Sequence, residues 1–346
     1  MKAIIVTPGL TKFLPYICLY QDLFKRNNVE YRILQWNRMN VPANDNQDVY
    51  SCGYAFSKSF FKRIISYFHY IKWVRNAIKV DKPDLIVIAT IAPAVCLLPM
   101  LYRWKYKYIL DIRDYSPLIK LCRGLVSLCI KWSKYTLISS KGFIKWLPNY
   151  TYLPVYNFGI QTLPTVKKHD CNNISIATIG FLRDFKENAL IIDAFGNKKG
   201  VDLFFHGNGL VLNELTTYAK DKGYENIFFT GTYDKEIEPN LYSKADIINI
   251  LMPSSVAGAS LMSNRFVNAV MYQRPVIVTK GSYQAELVED YALGVSVSID
   301  DDIYEQVTSY FKTYDSIKFS SGCRRFYELI VREHQLTISK LESLMK

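Results

Sequence analysis

Residues 84–112, which read DLIVIATIAPAVCLLPMLYRWKYKYILDI, contain the pattern that decides the fold. Residues 84–89 are a short apolar run typical of a buried strand, residues 94–102 have the composition of a helix, and residues 108–112 are a second short strand. A strand, a helix and a second strand in this order predict a parallel pair joined by a crossover helix. Because helices cover both faces of such a sheet, its strands are apolar throughout.

The uncharged run from Leu85 to Leu101 lies inside this stretch and raises the question of a membrane span. A spanning helix needs about 20 consecutive apolar residues. The run is slightly shorter, and Pro93 and Pro99 interrupt it. We therefore predict a strand, a turn and a helix here, with a re-entrant segment as the alternative.

The same alternation continues along the chain in two series of similar length. The first series has predicted strands at 3–6, 31–35, 84–89, 108–112 and 135–139, predicted helices at 11–26, 60–80, 94–102, 119–134 and 141–147, and a loop at 40–57. The second has predicted strands at 174–179, 203–206, 227–230, 247–251, 276–279 and 295–297, and helices at 187–195, 212–222, 239–243, 263–272, 285–290, 303–314 and 324–345. Two such series predict an α/β protein of two Rossmann-like, doubly wound parallel-sheet domains that face each other across a cleft. Ligands of such sheets bind beyond the carboxyl ends of the strands.

The domain boundaries follow from the gap between the two series. We predict an N-terminal domain at 1–160, a linker at 161–173, a C-terminal domain at 174–323, and a C-terminal helix at 324–346 that packs back toward the N-terminal domain. The linker contains the polar cluster Lys167-Lys168-His169-Asp170, which is typical of a connecting segment.

The charge is unevenly distributed over the 346 residues. The net charge is +12, and residues 1–160 hold 23 Lys and Arg against 8 Asp and Glu, whereas residues 161–346 hold 20 against 23. A basic N-terminal half predicts an anionic partner for that half.

The composition indicates a folded cytoplasmic protein without a metal centre. Apolar residues make up 49% of the chain, which excludes disorder. The seven cysteines form no CxxC pair, so we interpret them as reduced thiols, and the four histidines have no ligand spacing. The N-terminal MKAIIVTPG has too short an apolar run for a signal peptide and is interpreted as the first strand.

The segment from Ser263 to Val278 predicts an anion site. A helix begins after a small-residue loop that contains Gly258 and Ser260, and the free N–H groups and dipole of a helix N-terminus attract anions. Arg265 lies in the first turns and would add charge-assisted bonds to a diphosphate. The alternative is an ordinary surface arginine.

Glycine-containing turns follow three other predicted strands. Gly180 is followed by Arg183 and Lys186, where phosphate would lie, and the alternative is a solvated basic loop. Gly207 and Gly209 would let a ligand approach the backbone closely. Gly9, after the first strand of the N-terminal domain, is the equivalent turn there and is a weak signal by itself.

Charged residues appear abruptly at the carboxyl end of the strand at 108–112. Asp114 would orient or deprotonate a hydroxyl, and Arg113 would bind an anion. The alternative is an Asp–Arg pair that fixes the loop.

Three stretches of the N-terminal domain interleave aromatic and basic residues, at 60–79, 102–108 and 119–135. The first reads FFKRIISYFHYIKWVRNAIK and contains no acidic residue. Such composition is typical of an anionic membrane interface. Nucleic-acid binding and a core helix with a solvated basic edge are the alternatives.

Several motifs together resemble the GT-B glycosyltransferases, and among them the retaining family-four type of bacterial polysaccharide, capsule and O-antigen synthesis. Lys82-Pro83-Asp84-Leu85-Ile86 is similar to the family's "KPDvI", and residues 111–117 to its "D-x-R-D-x-x-P". Gly180 with Lys186 is similar to its diphosphate loop, and Gly207-Asn208-Gly209 to its "GxG". Gly231 is similar to the glycine of its "f-x-G". Residues 241–246 are similar to its "lY-x-x-AD", and residues 264–277 to its "N-K-x-x-E…x-P-V-I".

The chain departs from the family pattern at three positions. Phe181 stands where the family has an arginine, and Arg183 is its substitute. Ser260 and Asn268 stand where the family has two glutamates eight residues apart. An asparagine still accepts a hydroxyl bond through its amide oxygen, but without charge.

The resemblance implies a nucleotide diphosphate sugar as donor, held mainly by the C-terminal domain, with no cofactor and no metal. Lys186, Arg183 and Arg265 would neutralise the leaving diphosphate, Asn268 would hold the ribose, and Ser260 would contact the sugar. The acceptor, a glycan or lipid-linked glycan, would arrive near Asp114 at the inner face of the cell membrane, and the leaving phosphate would take its proton with retention of configuration. A catalytically silent scaffold of the same fold, a nucleotide-sugar epimerase and a nucleic-acid-binding protein are the alternatives, of which the last is not expected.

Overall fold

The computed structural model describes residues 1–42, 48–52, 59–159, 162–164 and 173–345. These residues form two compact units, of which the first comprises Met1–Asn157 with Glu333–Lys346 and the second comprises Phe158–Arg332. Most of the predicted linker at 161–173, including its cluster at 167–170, lies outside the described residues.

The first unit is a seven-stranded sheet with helices on its faces. Its strands are β1 (Lys2–Val6), β2 (Glu30–Asn37), β3 (Val49–Ser51), β4 (Leu85–Ala89), β5 (Tyr108–Ile112), β6 (Tyr135–Ile138) and β7 (Leu153–Pro154). Its helices are α1 (Ile17–Arg26), α2 (Phe60–Asp81), α3 (Ile91–Leu101), α4 (Leu118–Leu121) and α5 (Arg123–Trp132). All neighbouring strands are parallel, in the order β3-β2-β1-β4-β5-β6-β7.

The stretch at 84–112 folds as predicted. It forms β4, α3 and β5, and β4 pairs in parallel with β5 through Ile86↔Tyr108 and Val87↔Ile109. Every residue of both strands is buried, which is why their sequences do not alternate between apolar and polar residues. No helix in the described part of the chain is both long and apolar enough to cross a membrane.

The second unit is a six-stranded sheet of the same type. Its strands are β8 (Ile174–Ile179), β9 (Val201–His206), β10 (Ile227–Gly231), β11 (Ile247–Ile250), β12 (Val276–Thr279) and β13 (Gly294–Val297). Its helices are α6 (Phe185–Phe195), α7 (Leu212–Asp221), α8 (Glu238–Lys244), α9 (Val256–Ser260), α10 (Asn264–Met271), α11 (Tyr283–Tyr291), α12 (Ile303–Lys312) and α13 (Ser316–Glu342). The parallel order β10-β9-β8-β11-β12-β13 places the topological switch point between β8 and β11, where such sheets bind ligands.

The last helix contributes residues to both units. Helix α13 is 27 residues long and begins at Ser316, eight residues before the predicted start. From Glu333 onward it belongs to the first unit, where Leu341 is fully buried in one cluster with Ile17 and Tyr20 of α1.

Four local predictions were wrong. The predicted loop at 40–57 contains the short edge strand β3, which pairs with β2 through three residues. The predicted helix at 119–134 is divided into α4 and α5, because the backbone of Cys122 leaves the helical region (φ −141°, ψ 51°). The predicted helix at 11–26 is regular only from Ile17, after a 3₁₀ turn at Thr11–Phe13 and Pro15, which has no N–H to donate and disfavours a helical conformation of the residue before it. The predicted helix at 141–147 is a 3₁₀ turn at Lys141–Lys145.

Candidate functional site

The turns after β8 and β9 pack backbone against backbone. Gly180 (φ +106°) follows β8, and Gly207 (φ +127°) follows β9. A Cβ on Gly207 would lie 2.1 Å from the carbonyl oxygen of Gly180, and one on Gly209 would lie 2.0 Å from that of Leu182. Both positions therefore require glycine because of the neighbouring turn, and the ligand contact predicted for Gly207 and Gly209 stays a prediction.

The space beside Gly180 is open toward Arg265. The position that a Cβ on Gly180 would take lies 3.9 Å from Nη2 of Arg265, and this is its nearest contact. Ser263 caps α10 by accepting a hydrogen bond from the N–H of Phe266, and this fixes Arg265 in the first turn of the helix.

The guanidinium of Arg265 spans the switch point of the sheet. Its Nε donates to the carbonyl oxygen of Ile179 at the end of β8 (2.5 Å), and its Nη1 donates to that of Asn249 in β11 (3.3 Å). Burial lowers the pKa of Arg265 from its ordinary value, and the charge of Arg183 also lowers it. An arginine stays protonated at neutral pH. Among the described residues no salt bridge is recorded for this half-buried charge, although the charge of Asp184 acts to raise its pKa. An anion at Nη2 would stabilise it.

Arg183 and Lys186 lie in the same region, after β8. Arg183 is half exposed, and its Nε is 3.1 Å from Oδ2 of Asp184. Lys186 is exposed in the first turn of α6 and lines a cavity of about 90 Å³ together with Met252 and Thr279, at the carboxyl ends of β11 and β12. The structure thus brings one helix N-terminus and three cations to the carboxyl edge of the second sheet.

Asn268 is bonded to a carboxylate that the sequence analysis missed. Its Nδ2 donates to Oε1 of Glu238 at 2.9 Å, and the hydroxyl of Tyr233 donates to Oε2 of Glu238 at 2.9 Å. Glu238 is buried, and Lys235 also donates to its Oε2. A carboxylate is therefore present beside position 268, supplied by α8 rather than by α10.

Gly258 and Ser260 lie in the short helix α9 rather than in the predicted loop. A Cβ on Gly258 would lie 2.1 Å from the carbonyl oxygen of Pro253, so the helix packs closely on the preceding turn. The buried hydroxyl of Ser260 donates to the carbonyl oxygen of Val256 at 2.6 Å. Both residues have structural partners in this arrangement, and the predicted contact of Ser260 with a sugar stays a prediction.

In the first unit, the carboxyl end of β5 carries a buried ion pair. Asp111 is fully buried, and Arg113 contacts it through two nitrogens, with Nε 2.7 Å from Oδ1 and Nη2 2.9 Å from Oδ2. The hydroxyl of Tyr20 donates to Oδ2 of Asp111 (2.7 Å), and the guanidinium of Arg113 lies 4.6 Å from the ring centre of Tyr16. Arg113 thus forms the Asp–Arg pair that the sequence analysis gave as the alternative to anion binding.

Asp114 and Gly9 lie at the same edge of the first sheet, after β5 and β1. Asp114 is exposed, in contrast to Asp111. A Cβ on Gly9 would make only an ordinary contact of 3.6 Å with Leu14, so the turn does not require a glycine for space. Among the described residues, no group of three or more His, Cys, Asp or Glu side chains is arranged to hold a metal ion.

No protein-family model and no curated protein matches this chain. Solved structures do match it along nearly its whole length. HepE of Anabaena in complex with UDP and glucose has a TM-score of 0.69 at 16% identity, covering 99% of this chain and 100% of that one. The lipopolysaccharide outer core galactosyltransferase WaaB in its apo form has a TM-score of 0.66 at 13% identity, with 99% and 100% covered. Sucrose-phosphate synthase of Thermosynechococcus elongatus has a TM-score of 0.70 at 9% identity, with 99% and 98% covered.

The chain has the GT-B fold. Its two parallel sheets of seven and six strands, each with flanking helices, are the two Rossmann-like domains of that fold. The resemblance drawn from the motifs is confirmed at this level. At these identities the likeness shows the fold alone, and a fold does not by itself determine the activity.

We predict that Gly207→Ala destabilises the protein by about 3 kcal/mol, because the new Cβ meets the carbonyl oxygen of Gly180 and the backbone φ is positive. Gly223→Ala is the matched control, since Gly223 also has a positive φ (+67°) but has no atom within 4 Å of its Cβ position. The control should cost about 1 kcal/mol. Denaturant unfolding measures both, and equal losses would contradict the close packing of the two turns.

We also predict that Asp111→Asn destabilises the protein by about 3 kcal/mol, because it leaves the guanidinium of Arg113 buried without its counter-charge. Asp114→Asn, three residues further along and exposed, should leave the unfolding free energy within about 0.5 kcal/mol of the wild type. Denaturant unfolding of both variants is the measurement. A similar loss in the two would show that the buried pair is not what stabilises this loop.

Proposed function

We propose that the chain is a glycosyltransferase that moves a sugar from a nucleotide diphosphate sugar to a lipid-linked glycan acceptor in bacterial surface polysaccharide synthesis. The observation that carries this proposal is the group of three cations at the switch point of the second sheet, in a chain with the GT-B fold. HepE, one of the similar structures, was solved in complex with UDP and with UDP-glucose.

The donor diphosphate binds between Arg265, Arg183 and Lys186 in this proposal. Arg265 is positioned by two strand-end carbonyl groups, so its direction does not depend on the ligand. Negative charge develops on the diphosphate as the glycosidic bond breaks, and fixed cations stabilise that charge without reorganising. Transfer therefore proceeds without a metal ion. The acceptor oxygen bonds to the anomeric carbon on the face from which the diphosphate leaves, so the configuration is retained, and the leaving phosphate takes the acceptor proton.

The ribose of the donor binds beside Asn268. The amide of Asn268 donates to Glu238, which orients the amide oxygen away from that carboxylate as an acceptor for a hydroxyl group. Glu238 supplies in this way the negative charge that position 268 lacks. Tyr233 and Lys235 hold the carboxylate of Glu238 in place.

The acceptor binds to the first unit near Asp114 in this proposal, because a carboxylate exposed at the carboxyl end of β5 is of the kind that orients a hydroxyl group. Helix α2 presents exposed Phe61, Ile64, Ile65 and Phe68 together with exposed basic residues. A surface of this kind suits an anionic membrane, which is where a lipid-linked acceptor resides. We therefore propose a peripheral location on the cytoplasmic face of the cell membrane.

We predict that one class among UDP-, GDP-, ADP- and CMP-sugars raises the melting temperature of the purified protein. A ligand at about 100 times its dissociation constant adds about 2.7 kcal/mol of stability. Lys186→Ala should abolish most of this shift, because it removes an exposed cation that has no recorded partner among the described residues. Lys220→Ala is the control, since Lys220 is also exposed but lies in the last turn of α7, and it should leave the shift unchanged.

The two other outcomes of that experiment are informative. A shift that survives Lys186→Ala would contradict the assigned diphosphate site. No shift with any donor, with or without liposomes and acceptor lipid, would favour the catalytically silent scaffold, for which Ser260 and Asn268 in place of two glutamates are the supporting observation.

We predict that reversing the charge of Lys62, Arg63, Lys72 and Arg75 to Glu abolishes binding to liposomes that contain anionic lipid. Each basic residue near such a surface contributes about 1 kcal/mol, so four reversals weaken binding at least about 1,000-fold. Reversal of Lys199, Lys220, Lys312 and Lys318, which are exposed in the second unit, is the matched control because the net charge changes equally. Flotation or sedimentation measures binding, and equal losses in both variants would indicate a general effect of net charge.

A further inference from the structure

The first unit contains a large groove that the donor site does not use. Its volume is about 940 Å³, near the upper end of the range of roughly 300–1,000 Å³ that is usual for small-molecule sites. Its walls are α2, α3 and the turn into α4. The apolar residues that line it are Ile64, Tyr67, Phe68, Ile71, Ala92, Cys96, Pro117 and Leu118.

One face of α2 is apolar and exposed over its first two turns. Phe61, Ile64, Ile65 and Phe68 follow one another at helical spacing and are 76%, 49%, 52% and 68% exposed. Ile64 and Phe68 line the groove. Exposed large side chains that share one helix face mark a binding surface rather than a core.

The same face becomes basic further along the helix. Lys72, Arg75 and Lys79 continue the spacing from Phe68 by steps of four, three and four residues, and all three line the groove and are exposed. Arg63 lines it as well, and no Asp or Glu does among the described residues. No salt bridge is recorded there for Lys72, Arg75 or Lys79.

The groove is therefore amphipathic along its length. At about 1.5 Å per residue, the helix axis runs about 16 Å from Phe68 to Lys79. A ligand that fills it has a hydrocarbon part at the amino-terminal half of α2 and a negative group at the carboxyl-terminal half. A nucleic acid lacks the hydrocarbon part, and an acidic peptide lacks a continuous one.

The far wall of the groove adjoins the predicted acceptor residue. Ser116, Pro117 and Leu118 line the groove, and Asp114 precedes Ser116 by two residues on the same turn after β5. A ligand in the groove thus lies beside the loop that orients the acceptor hydroxyl in the proposed function.

We propose that this groove binds the lipid phosphate part of the acceptor, with its hydrocarbon chain on Ile64 and Phe68 and its phosphate at Lys72, Arg75 and Lys79. The inference rests on the proposed function for the identity of the acceptor. The groove is then a discrete site for one phosphorylated lipid, and this binding is distinct from the general adhesion of the first unit to a membrane surface.

Cys96 provides a readout inside the groove. Its thiol is exposed and lines the groove, whereas Cys18, also exposed, lies on α1 outside it. We predict that dodecyl phosphate, below its micelle concentration, protects Cys96 from maleimide labelling and leaves Cys18 unprotected, as read by mass spectrometry of peptides. At about ten times its dissociation constant it should slow labelling of Cys96 about tenfold.

Two further probes separate the parts of the ligand. Inorganic phosphate has the charge without the chain, and dodecyl maltoside has the chain without the charge. Protection by either probe equal to that by dodecyl phosphate would overturn the proposal of a site for both parts. Absence of protection by dodecyl phosphate would overturn it as well.

Two variants with matched controls locate the contacts. The double variant Lys72→Glu, Arg75→Glu should weaken the protection of Cys96 by dodecyl phosphate about tenfold or more. The double variant Lys25→Glu, Lys131→Glu changes two residues that are exposed outside the groove, and it should leave this protection unchanged. Phe68→Asn should weaken it too, whereas Val80→Asn, on the same helix and 79% exposed but outside the groove, should not. Equal effects of a variant and its control would contradict the assignment.

The labelling experiment contains no donor, so its result is independent of turnover. Protection without activity would support the groove and leave the proposed function in question. Activity without protection would support the proposed function and overturn the groove as the lipid phosphate site.

Discussion

Every recorded strand pair in the described chain is parallel, and the candidate sites depend on this constraint. In a parallel sheet all carboxyl ends lie at one edge, so the polar turns that follow the strands meet there. In the second unit this edge brings together the ends of β8 and β11, whose carbonyl groups hold the guanidinium of Arg265. In the first unit it brings together the turns after β1, β4 and β5, with the buried pair of Asp111 and Arg113 below the exposed Asp114.

The regular part of the fold could be predicted because its signal is local. Strands such as β4 and β12 are short, apolar and bounded by helices, and their bounds follow from composition. The short strands β3 and β7 could not be predicted in this way, because pairing through only two or three residues is decided by the neighbouring strand. The interruption of the helix at Cys122 could not be predicted either, because no proline marks it in the sequence.

The candidate site was predicted where charge follows a strand, and less well where the partner is distant in sequence. Arg183, Lys186 and Arg265 lie at one sheet edge, as their motifs indicate. Glu238 was missed because it lies 30 residues from Asn268, and only the fold shows that α8 and α10 bring their side chains together. The packing of Gly207 and Gly209 against another turn also had no signal in the sequence, because their neighbours Gly180 and Leu182 lie more than 20 residues away.

The division of helix α13 between the two units has a consequence for synthesis. The second unit is a continuous segment, so all of its residues are synthesised before Glu333 and the residues that follow it. The first unit contains residues from both ends of the chain, and Leu341 enters a core that residues of α1 begin more than 300 positions earlier. The domain that is translated first is therefore completed last, and until then the pocket for Leu341 stays unfilled on the nascent chain.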